Sequence, residues 1–378
     1  MDFRYTEEQL ALQDTLQRFI ARDYDFERRR ALTRSPLGYS PQAWAQYAEL
    51  GLLGLPFPEE YGGLSGTGID VMLVMESVGQ GLLLEPYWSS VVLCGGLIRD
   101  AASPGIKQEI LPQIAGGKVK LAFACYEAKA RYDLGRVESR ATHAGDGWRL
   151  SGKKSVVLDA PSADYLLVSA RTAGAGADPE GVSLFLVRKD APGVGVRSYP
   201  TQWGGRAADV EFVDVVVGRD ALIGAAGQAL TVMEQAVDAG IAALCAEALG
   251  IMVALNQATL NYTKTRKQFG LPIGSFQALQ HRMADMFIAT EQTRSMAIVA
   301  ALNAGSDDAR QRRRAISGAK AYIGQASRFV GQQAVQLHGA MGVVDDVVVS
   351  HYFKRLTMID MTFGDADYHL GRVSELLR

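Results

Sequence analysis

The chain has 378 residues and a net charge of −2, so its length allows two or three domains with cores of their own. The near-neutral charge excludes a general attraction to nucleic acid or to a charged membrane surface. Three widely spaced cysteines, Cys94, Cys125 and Cys245, exclude a disulfide framework and predict a cytoplasmic protein.

Helices are predicted throughout residues 1–117, which form the first expected domain. Thr6 and Gln9 stand in a capping-box pattern ahead of an apolar stripe with three-to-four spacing. Further helices are predicted at about 69–80, 86–101 and 104–115. The string Phe57-Pro58-Glu59-Glu60-Tyr61-Gly62-Gly63 predicts a turn between helices, because proline stops a helix and glycine accepts positive φ.

The pattern changes at Lys118, and residues 118–225 predict an antiparallel β-domain. Short β-branched and apolar runs alternate there with turn clusters such as Gly145-Asp146-Gly147. The strands are expected at 120–125, 156–158, 165–170, 182–187 and 210–217.

Residues 226–378 predict a helical bundle. Its four long helices are expected at about 226–267, 275–304, 308–338 and 348–360, with a short helix at the end. Two strings interrupt the helical pattern. Arg266-Lys267-Gln268-Phe269-Gly270 puts cations beside a glycine, which suits an anionic ligand approached by backbone. Gln336-Leu337-His338-Gly339-Ala340-Met341-Gly342 ends a helix with glycines that leave the backbone accessible.

These strings resemble the motifs of the acyl-CoA dehydrogenase family. The match includes Arg266–Gly270, the Ser275-Phe276-Gln277 string, Met283-Ala284-Asp285-Met286, the Pro58–Gly63 turn and Ala122-Phe123-Ala124-Cys125-Tyr126-Glu127. It extends over essentially the whole chain. The resemblance implies an α+β fold with an N-terminal helical domain (1–117), a β-barrel-like middle domain (118–225) and a C-terminal four-helix bundle (226–378). It also implies FAD as the cofactor.

The resemblance assigns the FAD contacts residue by residue. Arg266 and Phe269 would reach the cofactor of a neighbouring subunit, and Gln277, Gln336 and Gly339 would line the same cofactor. In the middle domain, Tyr126 and Leu158 stand where the family often has threonines. Val156 stands where it often has tryptophan. Altered contacts to the flavin ring are therefore expected, with backbone amides replacing hydroxyl donors. For Val156 and Leu158, ordinary strand core is the alternative.

The catalytic base of this family is a carboxylate in a water-poor cavity. The family's usual position for it falls on Gly364, and the position used by a minority falls on Gly240, so both are empty. Glu247 lies two helical turns beyond Gly240 and is the single acid in an apolar run, which makes it the candidate base. The alternative for Glu247 is a buried ion pair with an Arg or Lys of another helix. Asp365 and Asp367 are reserve candidates, or else caps of the final helix.

Other kinds of site find little support in the sequence. A Gly-x-Gly-x-x-Gly string after a strand and a P-loop string are both absent. The five histidines do not fall at metal-binding spacing, so no metal site is expected. No run of eighteen or more apolar residues lacks a charge or a turn, so no membrane span is expected either. His338 is expected to form a hydrogen bond at its helix end and not to act as a base.

The resemblance implies an FAD-dependent oxidoreductase of fatty acid β-oxidation that desaturates an acyl-CoA thioester between the α and β carbons. The strings resemble the branch that acts on pimeloyl-CoA-type and steroid side-chain substrates, so a medium-to-bulky acyl chain is expected. Expected partners are an electron-transfer flavoprotein and further subunits, in a homodimer, a homotetramer or a heterotetramer with a paralogous chain. Two alternatives are a non-catalytic subunit that completes another chain's FAD site and a relative that runs non-oxidative chemistry on a CoA thioester.

Overall fold

The computed structural model describes residues 5–377, and helices dominate the N-terminal part. Thr6 caps the first helix in a reciprocal capping box with Gln9, which confirms that prediction. The helices before the sheet are α1 (Glu7–Asp23), α2 (Phe26–Arg34), α3 (Pro41–Glu49), α4 (Gly68–Gly81), α5 (Gly96–Ala101) and α6 (Pro104–Ala115). The helix expected at 86–101 is divided, because Tyr87–Gly95 forms a π-helix ahead of α5.

An eight-stranded sheet follows. Its strands are β1 (Leu121–Ala124), β2 (Arg140–Ala144), β3 (Gly147–Leu158), β4 (Tyr165–Arg171), β5 (Val182–Arg188), β6 (Val194–Pro200), β7 (Arg206–Val217) and β8 (Leu222–Ile223). They are arranged in the order β6-β7-β3-β2-β4-β5-β8, with β1 paired to β4. Most pairs are antiparallel, as predicted, but β1 and β2 each run parallel to β4. The sheet is therefore mixed, which the strand patterns did not predict.

The rest of the described chain is helical apart from one small hairpin. Its elements are α7 (Leu230–Thr265), β9 (Lys267–Gln268), β10 (Leu271–Pro272), α8 (Gln277–Asn303), α9 (Ala309–His338), α10 (Val348–Met361) and α11 (Ala366–Leu377). The predicted helix bounds agree to within a few residues. By length and composition α7 would be able to cross a bilayer, but 89% of its most apolar window is buried within the protein, as in a core helix.

The chain divides into two compact units that interleave along the sequence. The helical unit takes the chain up to Ala31, Gly68–Leu83 and everything from Ile241 onward. The sheet unit takes Leu32–Thr67 and Leu84–Gly240. These units are defined by how compactly the chain packs, and they do not coincide with the three expected domains. The boundaries of those domains stay a prediction.

Within the helical unit, α4 crosses α7 with the two backbones in contact. A Cβ added to Gly79 would lie 2.0 Å from the Glu247 carbonyl oxygen, and one added to Gly250 would lie 1.9 Å from the Glu76 carbonyl oxygen. Only glycine allows so close an approach. The crossing therefore fixes the middle of α7, where Glu247 lies, directly against α4.

Candidate active site

The hairpin between α7 and α8 carries an exposed aromatic ring at its tip. Phe269 is 91% exposed and meets Phe276 edge-on at 6.2 Å between ring centroids. Phe269 and Gly270 both have positive φ, 52° and 80°, as a two-residue hairpin loop with right-handed twist requires. Arg266 at the base of the hairpin is exposed and forms no salt bridge with any residue in 5–377. The structure thus presents Arg266 and the Phe269 ring outward, with Lys267 also exposed between them.

The end of α9 is open to approach. Gly339 has φ 60° and nothing lies within 4 Å of a Cβ added there. Gln336 is exposed one turn earlier, and Gln277 is exposed at the first position of α8. His338 is buried, hydrogen-bonds the Ala334 carbonyl oxygen at 2.8 Å and stacks on a tyrosine ring of α7, as expected of a helix-end residue.

In the sheet unit, one buried ion pair lies beside the loop that carries Tyr126. The Tyr126 carbonyl accepts a hydrogen bond from the Ser155 amide at 2.9 Å, which ties the loop after β1 to β3, the strand that carries Leu158. Lys154 is fully buried, and its Nζ donates to Glu127 Oε1 at 2.7 Å. The pair therefore anchors the loop that carries Tyr126.

Burial and the attraction between the two charges shift the pKa of each residue of this pair in opposite directions. Burial lowers the pKa of Lys154, and the attraction of Glu127 offsets only part of the effect. Partial burial disfavours ionised Glu127, but Lys154 and hydrogen bonds from Ser139 and the Glu138 amide bring its pKa below its usual value. The Lys154–Glu127 distance of 2.7 Å is that of a charge-assisted hydrogen bond. The sequence did not identify Lys154, because the strand predicted there began only at residue 156, whereas β3 begins at Gly147.

Glu247 forms a bidentate ion pair inside the helical unit. Arg355 of α10 donates from Nε to Oε1 at 2.5 Å and from Nη2 to Oε2 at 2.6 Å. Glu247 is 2% exposed and Arg355 is 6% exposed. This is the arrangement that the sequence left open as the alternative to a base. Each carboxylate oxygen accepts one guanidinium N–H and keeps a second lone pair, so the ion pair by itself does not decide whether Glu247 can accept a proton.

Packing explains why the two usual base positions hold glycine. A Cβ at Gly364 would lie 2.4 Å from the Tyr368 ring and 2.6 Å from His369, and the residue has φ 118°. A Cβ at Gly240 would lie 2.5 Å from the side chain of Leu93. The Gly240 carbonyl oxygen accepts a hydrogen bond from the indole N–H of Trp88 at 2.9 Å. Neither position has room for a carboxylate side chain.

The two reserve aspartates are at the start of the final helix. Asp365 Oδ1 accepts a hydrogen bond from the Tyr368 amide at 2.9 Å, and Asp367 is exposed in the first turn of α11. Carboxylates at these positions stabilise a helix N-terminus. Capping, the alternative considered from the sequence, describes Asp365 well.

Two buried side chains that the sequence analysis did not identify hold the turn between α10 and α11. Lys320 donates to the carbonyl oxygens of Asp360 and Gly364 at 2.7 and 2.6 Å, and burial lowers its pKa to about 8. His369 contacts the Phe363 carbonyl oxygen at 3.1 Å, and burial lowers the pKa of His369 to about 3. The neutral ring therefore donates to this carbonyl at neutral pH.

Two features of the structure fit the binding of a flavin dinucleotide. The exposed Arg266 supplies a planar cation suited to phosphate, and the open turn at Gly339 allows a ligand to approach the backbone. Within residues 5–377, no group of three His, Cys, Asp or Glu side chains has the arrangement of a metal site.

Three family models together match nearly the whole chain. They are the N-terminal domain of acyl-CoA dehydrogenase over residues 6–118, the middle domain over 122–215 and the C-terminal domain over 227–377. A curated relative, the probable acyl-CoA dehydrogenase YngJ of Bacillus subtilis, is 30% identical over 86% of this chain and 87% of its own length.

Solved structures agree. A variant of the Tcur3481-Tcur3483 steroid ACAD is 29% identical, covers 98% of both chains and superposes with a TM-score of 0.88. The ChsE4-ChsE5 complex of Mycobacterium tuberculosis is 26% identical over 100% of this chain and 99% of that chain, with a TM-score of 0.88. The FAD complex of PigA is 25% identical over the same shares, with a TM-score of 0.89. The chain belongs to the acyl-CoA dehydrogenase family, whose members are FAD-dependent oxidoreductases that act on acyl-CoA.

Proposed function

We propose that this protein desaturates a medium-to-bulky acyl-CoA thioester between its α and β carbons. The observation that carries the proposal is the exposed Arg266 and Phe269 hairpin, which matches the family's cofactor-binding string and has no role in the core of its own unit. The steroid ACAD among the solved relatives supports a bulky acyl chain.

The candidate cofactor residues divide between the two units. In the helical unit we assign FAD contacts to Arg266, Phe269, Gln277, Gln336 and Gly339, with the hairpin reaching a neighbouring subunit. In the sheet unit we assign contacts to Tyr126, in the loop after β1, and to Leu158, at the end of β3. The bound FAD would accept the β-hydrogen as a hydride, and an electron-transfer flavoprotein would then receive the electrons. We assign the protein to the cytoplasm.

Glu247 is our candidate for the base that takes the α-proton. Its carboxylate lies in a water-poor helical core, and a base must be ionised before it accepts a proton. Arg355 holds the carboxylate through both oxygens, each of which keeps a second lone pair. The α-proton would be taken up on one of these lone pairs.

A second candidate function is that of a non-catalytic subunit in a heteromeric enzyme. The bidentate pair favours this reading, because a carboxylate bound through both oxygens serves as a structural ion pair without further change. The absence of room for a carboxylate at Gly364 and Gly240 points the same way. The ChsE4-ChsE5 relative is a complex of two different chains, so a paralogous partner is the expected second component.

One purification separates the two functions. The chain is expressed alone and then with a paralogous subunit, and the flavin absorbance is measured in each case. The chain alone is expected to be yellow and to lose its flavin absorbance anaerobically when a bulky acyl-CoA is added. A colourless chain that acquires flavin only in the co-expressed complex would favour the supporting subunit.

The base is tested on the flavin-loaded protein. Glu247→Gln is expected to retain the flavin and to lose bleaching by the same acyl-CoA. Asp307→Asn serves as the control, because it removes an exposed carboxylate from a loop. Bleaching at the wild-type rate in Glu247→Gln would exclude Glu247 as the base.

A further inference from the structure

A β-bulge in the sheet unit holds a valine in an unfavourable backbone conformation. Beyond the Lys154–Val210 pair, β3 places two residues, Ser155 and Val156, opposite the single residue Asp209 of β7. Val156 has φ 52° and its side chain is 48% exposed. A β-branched residue at positive φ is a genuine outlier, and such strain persists only where the surroundings enforce it.

A second bulge in the same pair of strands shows what an ordinary solution looks like. There β7 carries the extra residue, and the positive φ of 50° falls on Asp214. Aspartate tolerates this region, and the Ser151 hydroxyl hydrogen-bonds both the side chain and the amide of Asp214 at 3.2 Å. Glycine or aspartate at position 156 would form the bulge with less strain. The bulge itself therefore does not require the isopropyl group of Val156.

One carboxylate holds this strained bulge in place. Asp209 Oδ1 accepts from the Val156 amide at 3.3 Å and from the Tyr199 hydroxyl at 3.2 Å, while Oδ2 accepts from Arg197 Nη2 at 2.5 Å. The hydrogen bond from Arg197 lowers the pKa of Asp209, so the acceptor is charged at neutral pH. On the other side of β3, the Ser155 amide is bonded to the loop after β1. The bulge is thus fixed from both sides.

We propose that Asp209 is a positioning residue that holds the Val156 bulge so that the isopropyl group packs against the flavin ring of FAD. The inference rests on the proposed function, because Val156 lies on the strand that carries the assigned contact Leu158. Bulges are common beside active sites, where they re-aim a side chain. An apolar group fixed at one height above a conjugated ring limits the access of water to it, and the reduction potential of a flavin depends on that access.

The test uses the FAD-loaded protein and the FAD-free protein side by side. The variants are Asp209→Ala, Val156→Gly and the double variant, with Asp214→Ala as the matched control at the other bulge. Measurements are the FAD dissociation constant, the visible absorption maxima of the bound flavin, its midpoint potential and the melting temperature of the FAD-free chain.

We expect Asp209→Ala to weaken FAD binding about tenfold, on the scale of one or two lost hydrogen bonds, and to shift both the flavin maxima and the potential. Val156→Gly should raise the melting temperature of the FAD-free chain while shifting the same flavin signals. The double variant should bind FAD and absorb light much as Val156→Gly alone does, since glycine needs no support from Asp209 at positive φ. Asp214→Ala should leave the flavin signals unchanged.

Two results would overturn the inference. One is flavin maxima and a potential in Asp209→Ala that match those of the wild type. The other is a flavin response in Asp214→Ala as large as that in Asp209→Ala. If Asp209→Ala does not fold, Asp209→Asn replaces it, because the amide oxygen still accepts from Val156 but loses the charged bond to Arg197. If the wild-type chain bound no FAD, the proposed function would fail, whereas the melting temperatures of the single and double variants would still test the support of the bulge.

Discussion

Replacing Glu247 with glutamine removes one half of a buried ion pair and leaves the Arg355 guanidinium charged inside the helical unit. Breaking a buried pair in this way costs about 3–5 kcal/mol, because the remaining charge loses its counter-charge and cannot be rehydrated. The bidentate geometry, with bonds of 2.5 and 2.6 Å, supports a value toward the upper end. The change acts on folding stability whether or not Glu247 also accepts a proton.

The expected shift in melting temperature follows from the length of the chain. An unfolding entropy of about 2.1 cal/mol/K per residue gives about 0.8 kcal/mol/K for a protein of this length, so about 4 kcal/mol lowers the midpoint by about 5 °C. Glu247→Leu with Arg355→Met removes both charges and fills the space with apolar groups. This double variant should melt near the wild-type temperature, because apolar replacement of a whole pair is often neutral or stabilising.

Calorimetry on the FAD-free proteins measures these shifts without the added stability of the bound cofactor. Asp307→Asn is the control for loss of a carboxylate at an exposed position. A Glu247→Gln midpoint within about 1 °C of wild type would refute the reasoning, given the shift expected for a chain of this length. So would a double variant less stable than Glu247→Gln alone. Measured next to the bleaching experiment, the cycle separates a structural carboxylate from a catalytic one.

Three further predictions concern the turn after α10 and the helix crossing. His369 has a folded pKa of about 3 against 6.5 for the free side chain, so the unfolded chain takes up a proton that the folded chain does not, and stability should fall as pH falls from about 6.5 towards 3. In urea titrations at several pH values, the free energy of unfolding of His369→Asn should lack this dependence on pH. The same dependence in the variant and in the wild type would contradict the prediction. The pKa of Lys320 is about 8 in the folded chain and 10.5 for the free side chain, so between these values the unfolded chain binds more protons than the folded chain. The free energy of unfolding should therefore rise as the pH rises from about 8 to 10.5. Lys320→Met should lack that rise in the same titrations. Gly79→Ala should lower the melting temperature by several degrees, because its Cβ would lie 2.0 Å from a carbonyl oxygen of α7; an unchanged midpoint would mean that the helices separate at little cost.

Signals that lie within a few residues were predicted well. The capping box at Thr6 and the proline and glycines of the turn at 57–63 each depend on local backbone chemistry. The break between α7 and α8 was also predicted, but the hairpin that fills it was not. Long apolar periodicity likewise placed α7, α8 and α9 to within a few residues. The exposure of Phe269 followed only from the family resemblance, because a phenylalanine by itself indicates core.

Contacts distant in sequence were not predictable in the same way. Arg355 lies 108 residues after Glu247, and a lone arginine on a helix usually indicates a solvated face. Lys320 is held by two carbonyl oxygens, and carbonyls leave no mark in a sequence. The parallel pairing of β1 with β4 depends on which strand ends meet in space, so alternation of residue types does not show it.

The tip of the hairpin after α7 bears on any attempt to stabilise this protein by sequence redesign. A two-residue loop with positive φ at both positions is best served by Asn-Gly, and the exposed Phe269 ring contributes only its edge-on contact with Phe276 in an isolated chain. A design procedure that scores a single chain would therefore exchange Phe269 for asparagine among its first substitutions. The product would have a better turn and would lack the ring that we assign to a neighbouring subunit's cofactor. Single-chain stability criteria should be applied to this protein only with position 269 held fixed.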